Sequence, residues 1–206
     1  MTVTLTRQPE RLHYTGEEES ERLIAADPFA LLVGFALDQQ VTVQKAFSGP
    51  LEIRRRVGTL DPARLAAMDP GELSAAFRQR PTIHRFPDAM ARRVQALAQF
   101  ITDRYGGDAS RIWTEAADGA DLRRRLAELP SFGEMKVRSM TAVLAKRFGL
   151  SLPGLDAVLP PHMTLGDVDS PEALEAYQAA KRARKAELRA AGTQESALAS
   201  APPLPK

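Results

Sequence analysis

The chain has 206 residues, 44% of them hydrophobic and 26% charged, enough for one well-packed core and no sign of global disorder. Its 28 basic residues against 26 acidic ones leave a net charge of only +2, so the whole-molecule field says little about partners. The absence of cysteine excludes disulfides, thiolate zinc sites, cysteine-ligated iron–sulfur clusters and cysteine nucleophiles together.

The three histidines, His13, His84 and His162, are far apart and lack metal-ligand spacing. No apolar run is long enough to span a bilayer, and the polar N-terminus is unlike a signal peptide. A soluble cytoplasmic protein without a membrane partner is therefore expected.

Residues 1–14 open with the alternating, β-branched Thr2-Val3-Thr4-Leu5-Thr6, which predicts an extended segment. Beyond it the pattern is helical, and the predicted class is all-α. Asp27-Pro28 pairs an N-cap with an N1 proline and starts Phe29 to Leu37, a helix apolar nearly all round and so expected at the centre. It ends abruptly in Asp38-Gln39-Gln40. A short helix is predicted around Val43 to Phe47, stopped by Ser48-Gly49-Pro50. Asp61-Pro62 and Asp69-Pro70 each start a further short helix. From Pro87 a longer amphipathic helix turns Met90, Val94, Leu97, Ala98 and Ile101 inward and ends at Gly106-Gly107.

The most informative stretch follows. A helix predicted from about Gly119 to Leu129 halts at Pro130. After Ser131-Phe132-Gly133 a second helix carries Val137, Met140, Val143, Leu144 and Phe148 at three- and four-residue steps, with Gly149 at its C′ position. So tight a connection leaves N–H groups unpaired at the second helix's start, a seat for phosphate, with Lys136 and Arg138 beside it. Such a helix-hairpin-helix grips a nucleic-acid backbone without reading bases. Residues 151 to 161 are loop-rich. Ser170-Pro171 caps a last helix from 171 to about 190, which bears the basic Lys181 to Lys185 stretch. The Ala-, Ser- and Pro-rich residues 191–206 read as a disordered tail.

The hairpin, taken with Leu37-Asp38-Gln39-Gln40-Val41-Thr42 upstream, resembles the HhH-GPD superfamily of base-excision DNA glycosylases, the endonuclease III and AlkA-like group. The resemblance covers roughly Asp27 to Asp156, and the stretches Pro81 to Pro87 and Leu129 to Gly133 look closest to small bacterial members without the iron–sulfur cluster. It implies a two-lobed helical fold: residues 15–42 with 150–190 as one lobe, 43–149 as the other. It also implies double-stranded DNA as partner, a monomer, a nucleoid-associated bacterial setting and hydrolysis of the bond to a damaged, flipped-out base. No cofactor is implied beyond a structural monovalent or divalent cation at the carbonyls of Ala127, Leu129 and Phe132.

Carried over by position, the resemblance makes Ser131, Phe132, Gly133, Glu134, Met135, Lys136 and Arg138 the DNA clamp, with the amides of Ser131, Gly133 and Met135 facing a phosphate. Gln39 and Gln40 become the wedge that fills the gap left by the extruded base. Bifunctional members have their Schiff-base lysine where Met135 stands. Lys136, one residue later and about 100° round the helix, is expected to point away toward DNA phosphate, so lyase chemistry is not expected. Ser131 replaces the usual hairpin glycine. Asp156, about twenty residues after the Schiff-base lysine position, is the first candidate for the catalytic carboxylate. Asp38, beside the two glutamines, is the second and a pocket residue. His84 and Phe86, on the proline-bracketed loop, are candidates to line that pocket, although the first reading for the histidine is a buried, hydrogen-bonded place in the structure. The rival reading is a non-catalytic DNA-binding module, a lesion sensor or scaffold.

Overall fold

The structure, a computed structural model, describes residues 5–190. Residues 1–4 of the expected extended segment and the tail 191–206 lie outside the described residues. The described chain is all-helical, and its only ladder contact is an isolated antiparallel bridge between Leu5 and Leu150. That bridge continues as the Arg7 N–H donates to the Phe148 carbonyl at 3.1 Å. Leu12 and Tyr14 then bury themselves, and the Tyr14 hydroxyl donates to the Leu165 carbonyl at 2.8 Å.

The first helix, α1, spans Glu18–Ala26, and α2 spans Pro28–Leu37. Asp27 caps α2 as expected, its carboxylate accepting the N–H groups of Phe29 (2.8 Å) and Ala30 (3.1 Å). Every α2 residue from Phe29 to Leu37 is buried. Each large side chain there contributes about 1.5–3 kcal/mol by leaving water, which offsets the absence of an amphipathic pattern. The helix α3, Val43–Val57, crosses α2 closely because Gly34 has no side chain: a Cβ there would lie 2.4 Å from the Phe47 ring.

The short helix expected at Val43 to Phe47 is corrected here, since α3 runs straight through Pro50. A proline inside a helix costs about 3 kcal/mol. Beyond Pro50, however, Leu51 and Ile53 reach the core, and Arg54, Arg55 and Arg56 find carboxylates, which offsets the loss.

Asp61 and Asp69 cap α4 (Pro62–Ala67) and α5 (Pro70–Arg78) as their sequences predict. Next come α6 (Pro87–Tyr105), closed by Gly106 at φ 63°, and the single turn α7 (Arg111–Thr114). Trp113 on α7 is buried in the core. The hairpin pair is α8 (Gly119–Ala127) and α9 (Glu134–Arg147). A four-residue helix α10 (Leu155–Val158), a 3₁₀ turn at Leu165–Asp167 and α11 (Pro171–Ala190) complete the fold. The buried apolar side chains of all these helices form one contiguous cluster with α2 inside it.

Candidate functional site

The C-terminus of α2 meets the N-terminus of α9, and the two ends are chemically opposite. The last carbonyls of a helix lack intrahelical donors, and the first amides of a helix lack acceptors. At α2 the account closes completely. The Asp38 N–H serves the carbonyls of Gly34 (3.1 Å) and Phe35 (3.2 Å), and the Gln39 N–H serves that of Leu37 (2.7 Å). The remaining carbonyl, Ala36, accepts a hydrogen bond from the Lys136 ammonium at 3.0 Å.

Lys136 therefore turns inward from α9, which corrects the expectation that it points out to DNA phosphate. Its stem passes the buried Phe132 ring, with the nitrogen 5.9 Å from the ring centroid, and the negative end of α2 draws the charged head in. Burial pushes the Lys136 amine down to about 8; Asp38 pulls the other way without cancelling it, and Arg93 adds to the depression. The neighbouring Met135 is left 47% exposed at the start of α9.

Asp38, mostly buried, is the hub. Besides facing Lys136 it lies 4.0 Å from the Lys181 ammonium of α11, with Tyr177 one turn back on the same helix. Burial works against a charged Lys181, yet Asp38 and Tyr177 outweigh it and hold the ammonium above its ordinary range. Gln39 is anchored, its side-chain carbonyl accepting from the Arg93 guanidinium. Gln40 is free: exposed, without a partner among the described residues, and held at φ 57°. A non-glycine residue in that region is uncommon and strained. Of the two glutamines, only Gln40 is placed to leave the surface.

His84 supports this corner and does not line an open pocket. It is fully buried; its Nδ1 accepts the Phe86 N–H (3.1 Å), so Nε2 carries the proton and donates to the Gln39 carbonyl (3.0 Å). Burial lowers its pKa, outweighing the backbone bonds to Gln39 and Leu37, so the ring stays neutral. Phe86 is 41% exposed beneath the Arg85 guanidinium, 4.7 Å from the ring centroid. Phe86 and Met135 are the exposed large hydrophobics of the described chain, and both flank the α2–α9 junction.

Ser131 adopts φ 69° in the hairpin, the conformation that glycine takes without penalty. Gly133, the N-cap of α9, has an ordinary φ of −83°, no side-chain cap, and open space where a Cβ would stand. Glu134 is tied to Arg123 (2.5 Å) and Arg138 (2.8 Å), so its single charge is shared between two guanidinium groups. The Leu129 carbonyl accepts the Phe132 N–H at 3.1 Å, which leaves its second lone pair open.

Asp156 is not brought to this junction. It is exposed on α10, which packs at the far end of α8: the Gly119 N–H donates to the Pro153 carbonyl at 2.9 Å. The length of α8, about 12 Å at 1.5 Å per residue, separates that end from the hairpin. Of the two candidate carboxylates, Asp38 is the one at the junction.

The charges sort themselves by region. Arg54, Arg55 and Arg56 pair with Glu17, Glu19 and Glu52, and Arg124 and Arg125 with Asp121. Lys146 pairs with Asp167, and Arg147 lies 4.0 Å from Asp169. Lys45, Arg85, Arg93 and Lys136, on the elements that meet around the end of α2, form no ion pair among the described residues, and neither do Arg7, Arg11, Arg64 and Arg80 elsewhere. Arg93, Tyr177 and Lys181 were not singled out by sequence reasoning as site residues. Nothing in a run such as Arg92-Arg93 says which arginine reaches a glutamine 54 positions earlier.

No family model matches the chain, and no curated protein does. Among solved structures, a trapped endonuclease III–DNA covalent intermediate in an estranged-adenine complex aligns with 73% of this chain and 72% of its own. The identity is 17% and the TM-score 0.43. No described helix is long and apolar enough to cross a membrane.

Proposed function

We propose that the chain is a DNA glycosylase that releases a damaged base at the junction of α2 and α9. The observation that carries this reading is the convergence, at one corner, of unpaired cations, the open first turn of α9 at Gly133, and the mostly buried Asp38. A glycosidic bond inside a duplex is out of reach, so the nucleotide must be extruded at a cost of a few kcal/mol. The amides of Gly133, Glu134 and Met135 hold a backbone phosphate through a negative-accepting helix end. Gln40, already strained and exposed, fills the gap in the stack, while Met135 and Phe86 offer apolar surface to the unstacked bases. Asp38 stabilises the cationic sugar that forms as the base departs, or orients the water that attacks it.

Hydrolysis without strand cleavage is the first form of this activity. One observation favours a second. An amine with its pKa near 8, turned inward beside a carboxylate, keeps about a tenth of its population neutral at pH 7. That is one condition for a lysine nucleophile, although Met135 still stands where bifunctional relatives carry theirs and the Lys136 amine is engaged by the Ala36 carbonyl.

The test is base release from duplexes that each carry one damaged base. Release that disappears in Asp38→Asn while duplex binding persists supports the enzyme. Binding without release across the panel makes the protein a non-catalytic module. Borohydride trapping of a covalent adduct, absent in Lys136→Met, assigns the amine route.

A further inference from the structure

Helix α11 is anchored by its first half. Leu174 and Tyr177 are buried, the Gln178 side-chain amide donates to the Gln44 side chain at 2.8 Å, and Lys181 stands 4.0 Å from Asp38. The helix thus leaves the molecule from the edge of the site. Arg184 and Lys185 follow Lys181 by three and four residues, so they continue its face, and Arg182 lies beside it.

None of Arg182, Arg184 and Lys185 has a carboxylate partner among the described residues, although Glu187 is on the same helix. The arginine run of α3 shows the alternative, since each of Arg54, Arg55 and Arg56 is neutralised by glutamates. Favourable contact with the helix dipole does not account for the α11 cations either. That effect is confined to the last turn, whereas Arg182 and Arg184 precede it.

We infer that the second half of α11 is a phosphate-binding arm: Arg182, Arg184 and Lys185 hold the backbone of the strand whose nucleotide enters the site at Asp38. The partner is a nucleic-acid backbone because the arm is continuous with the unpaired cations at the end of α2 and offers charge without an apolar face for a protein. The inference rests on the DNA-binding reading above and adds a second contact to it.

The experiment measures duplex affinity for the full chain between 50 and 200 mM salt. Each lost phosphate contact lowers the slope of log affinity against log salt by about 0.9. The triple variant Arg182→Gln/Arg184→Gln/Lys185→Gln is expected to lower that slope by two to three and to weaken binding at least tenfold at about 100 mM salt. Arg182→Gln and Lys185→Gln alone are each expected to lower it by about one. Arg54→Gln/Arg55→Gln, which removes cations already paired, is the reference and leaves the slope unchanged. A wild-type slope retained by the triple variant, with helix content intact by circular dichroism, overturns the arm and leaves the site reading standing. The same result accompanied by lost binding to anionic vesicles assigns the surface to a membrane and equally overturns it. A wild-type chain that binds no duplex at low salt overturns the site reading, and the arm with it.

Discussion

Two cation-bearing regions of this molecule differ in how far their charge is neutralised. Along α3, Arg54, Arg55 and Arg56 face the acidic start of α1 and their own Glu52, and every charge there is met. Around the end of α2, Lys45, Arg85, Arg93 and Lys136 stand without carboxylates, and the one acid among them, Asp38, also faces Lys181. In the first region Arg54 and Arg55 form a solvated brace, in which exposed pairs contribute about 0–1 kcal/mol each, while the mostly buried Arg56 side chain also donates to the carbonyls of Ala76, Gln79 and Pro81. The second is an unbalanced positive field with a single carboxylate at its centre, which is what a polyanion and a departing base require. Density of charge in the sequence does not separate them; neutralisation in three dimensions does.

The comparison is tested most severely at Asp38. Asp38→Asn preserves shape, removes the charge, and is expected to lower base release by about 10²–10⁴-fold while duplex affinity stays within about threefold, as read by single-turnover assays and titration.

Next in size is the effect of pH on Lys136. Its folded pKa of about 8 lies below its ordinary 10.5, so between those values the unfolded chain binds more protons. Stability therefore rises with pH from about 8 to about 10.5, by up to roughly 3 kcal/mol, and below pH 8 the folded state bears the full penalty of a buried ammonium. Urea unfolding across that window should show the rise in the wild type and not in Lys136→Met. An identical rise in both would place the titrating group elsewhere.

Gly133→Ser separates binding from folding by opposite signs. The backbone there has the extended conformation of an N-cap, so the serine hydroxyl can take up a free amide of α9 and stabilise the helix by about 0.2–0.4 kcal/mol. The same hydroxyl occupies the phosphate seat, so duplex affinity should fall about tenfold, or 1.4 kcal/mol. Ser131→Gly relieves a left-handed φ and is expected to raise stability by about 0.5–1 kcal/mol without weakening binding, measured by denaturant midpoint and titration. At the small end, Arg55→Gln in the brace should change stability by less than about 0.5–1 kcal/mol and duplex affinity not at all.

Much of the fold was legible because its signals are local. Asp27-Pro28, Asp61-Pro62 and Asp69-Pro70 each start a helix where expected, and Gly106 and Gly149 both take positive φ just after a helix. Pro50 misled because the local rule against a mid-helix proline was outweighed by burial and pairing beyond it. Within the site, the hairpin and the Asp38-Gln39-Gln40 step were readable. The direction of Lys136 was not, because angle round a helix says where a side chain leaves the backbone and not where a flexible four-carbon stem ends. Distance along the chain from the hairpin points to Asp156, but α10 packs at the far end of α8 and keeps that carboxylate from the junction.

By itself the sequence determined the helical class, the hairpin between α8 and α9, the central place of α2 and the absence of thiolate chemistry. These follow from periodicity, capping and composition, each felt within a few residues. Tertiary structure alone decided which carboxylate confronts Lys136, which of the two glutamines is free, and which cations remain unpaired. Those outcomes depend on contacts between residues as many as 100 positions apart, where one helix end meets its electrical opposite.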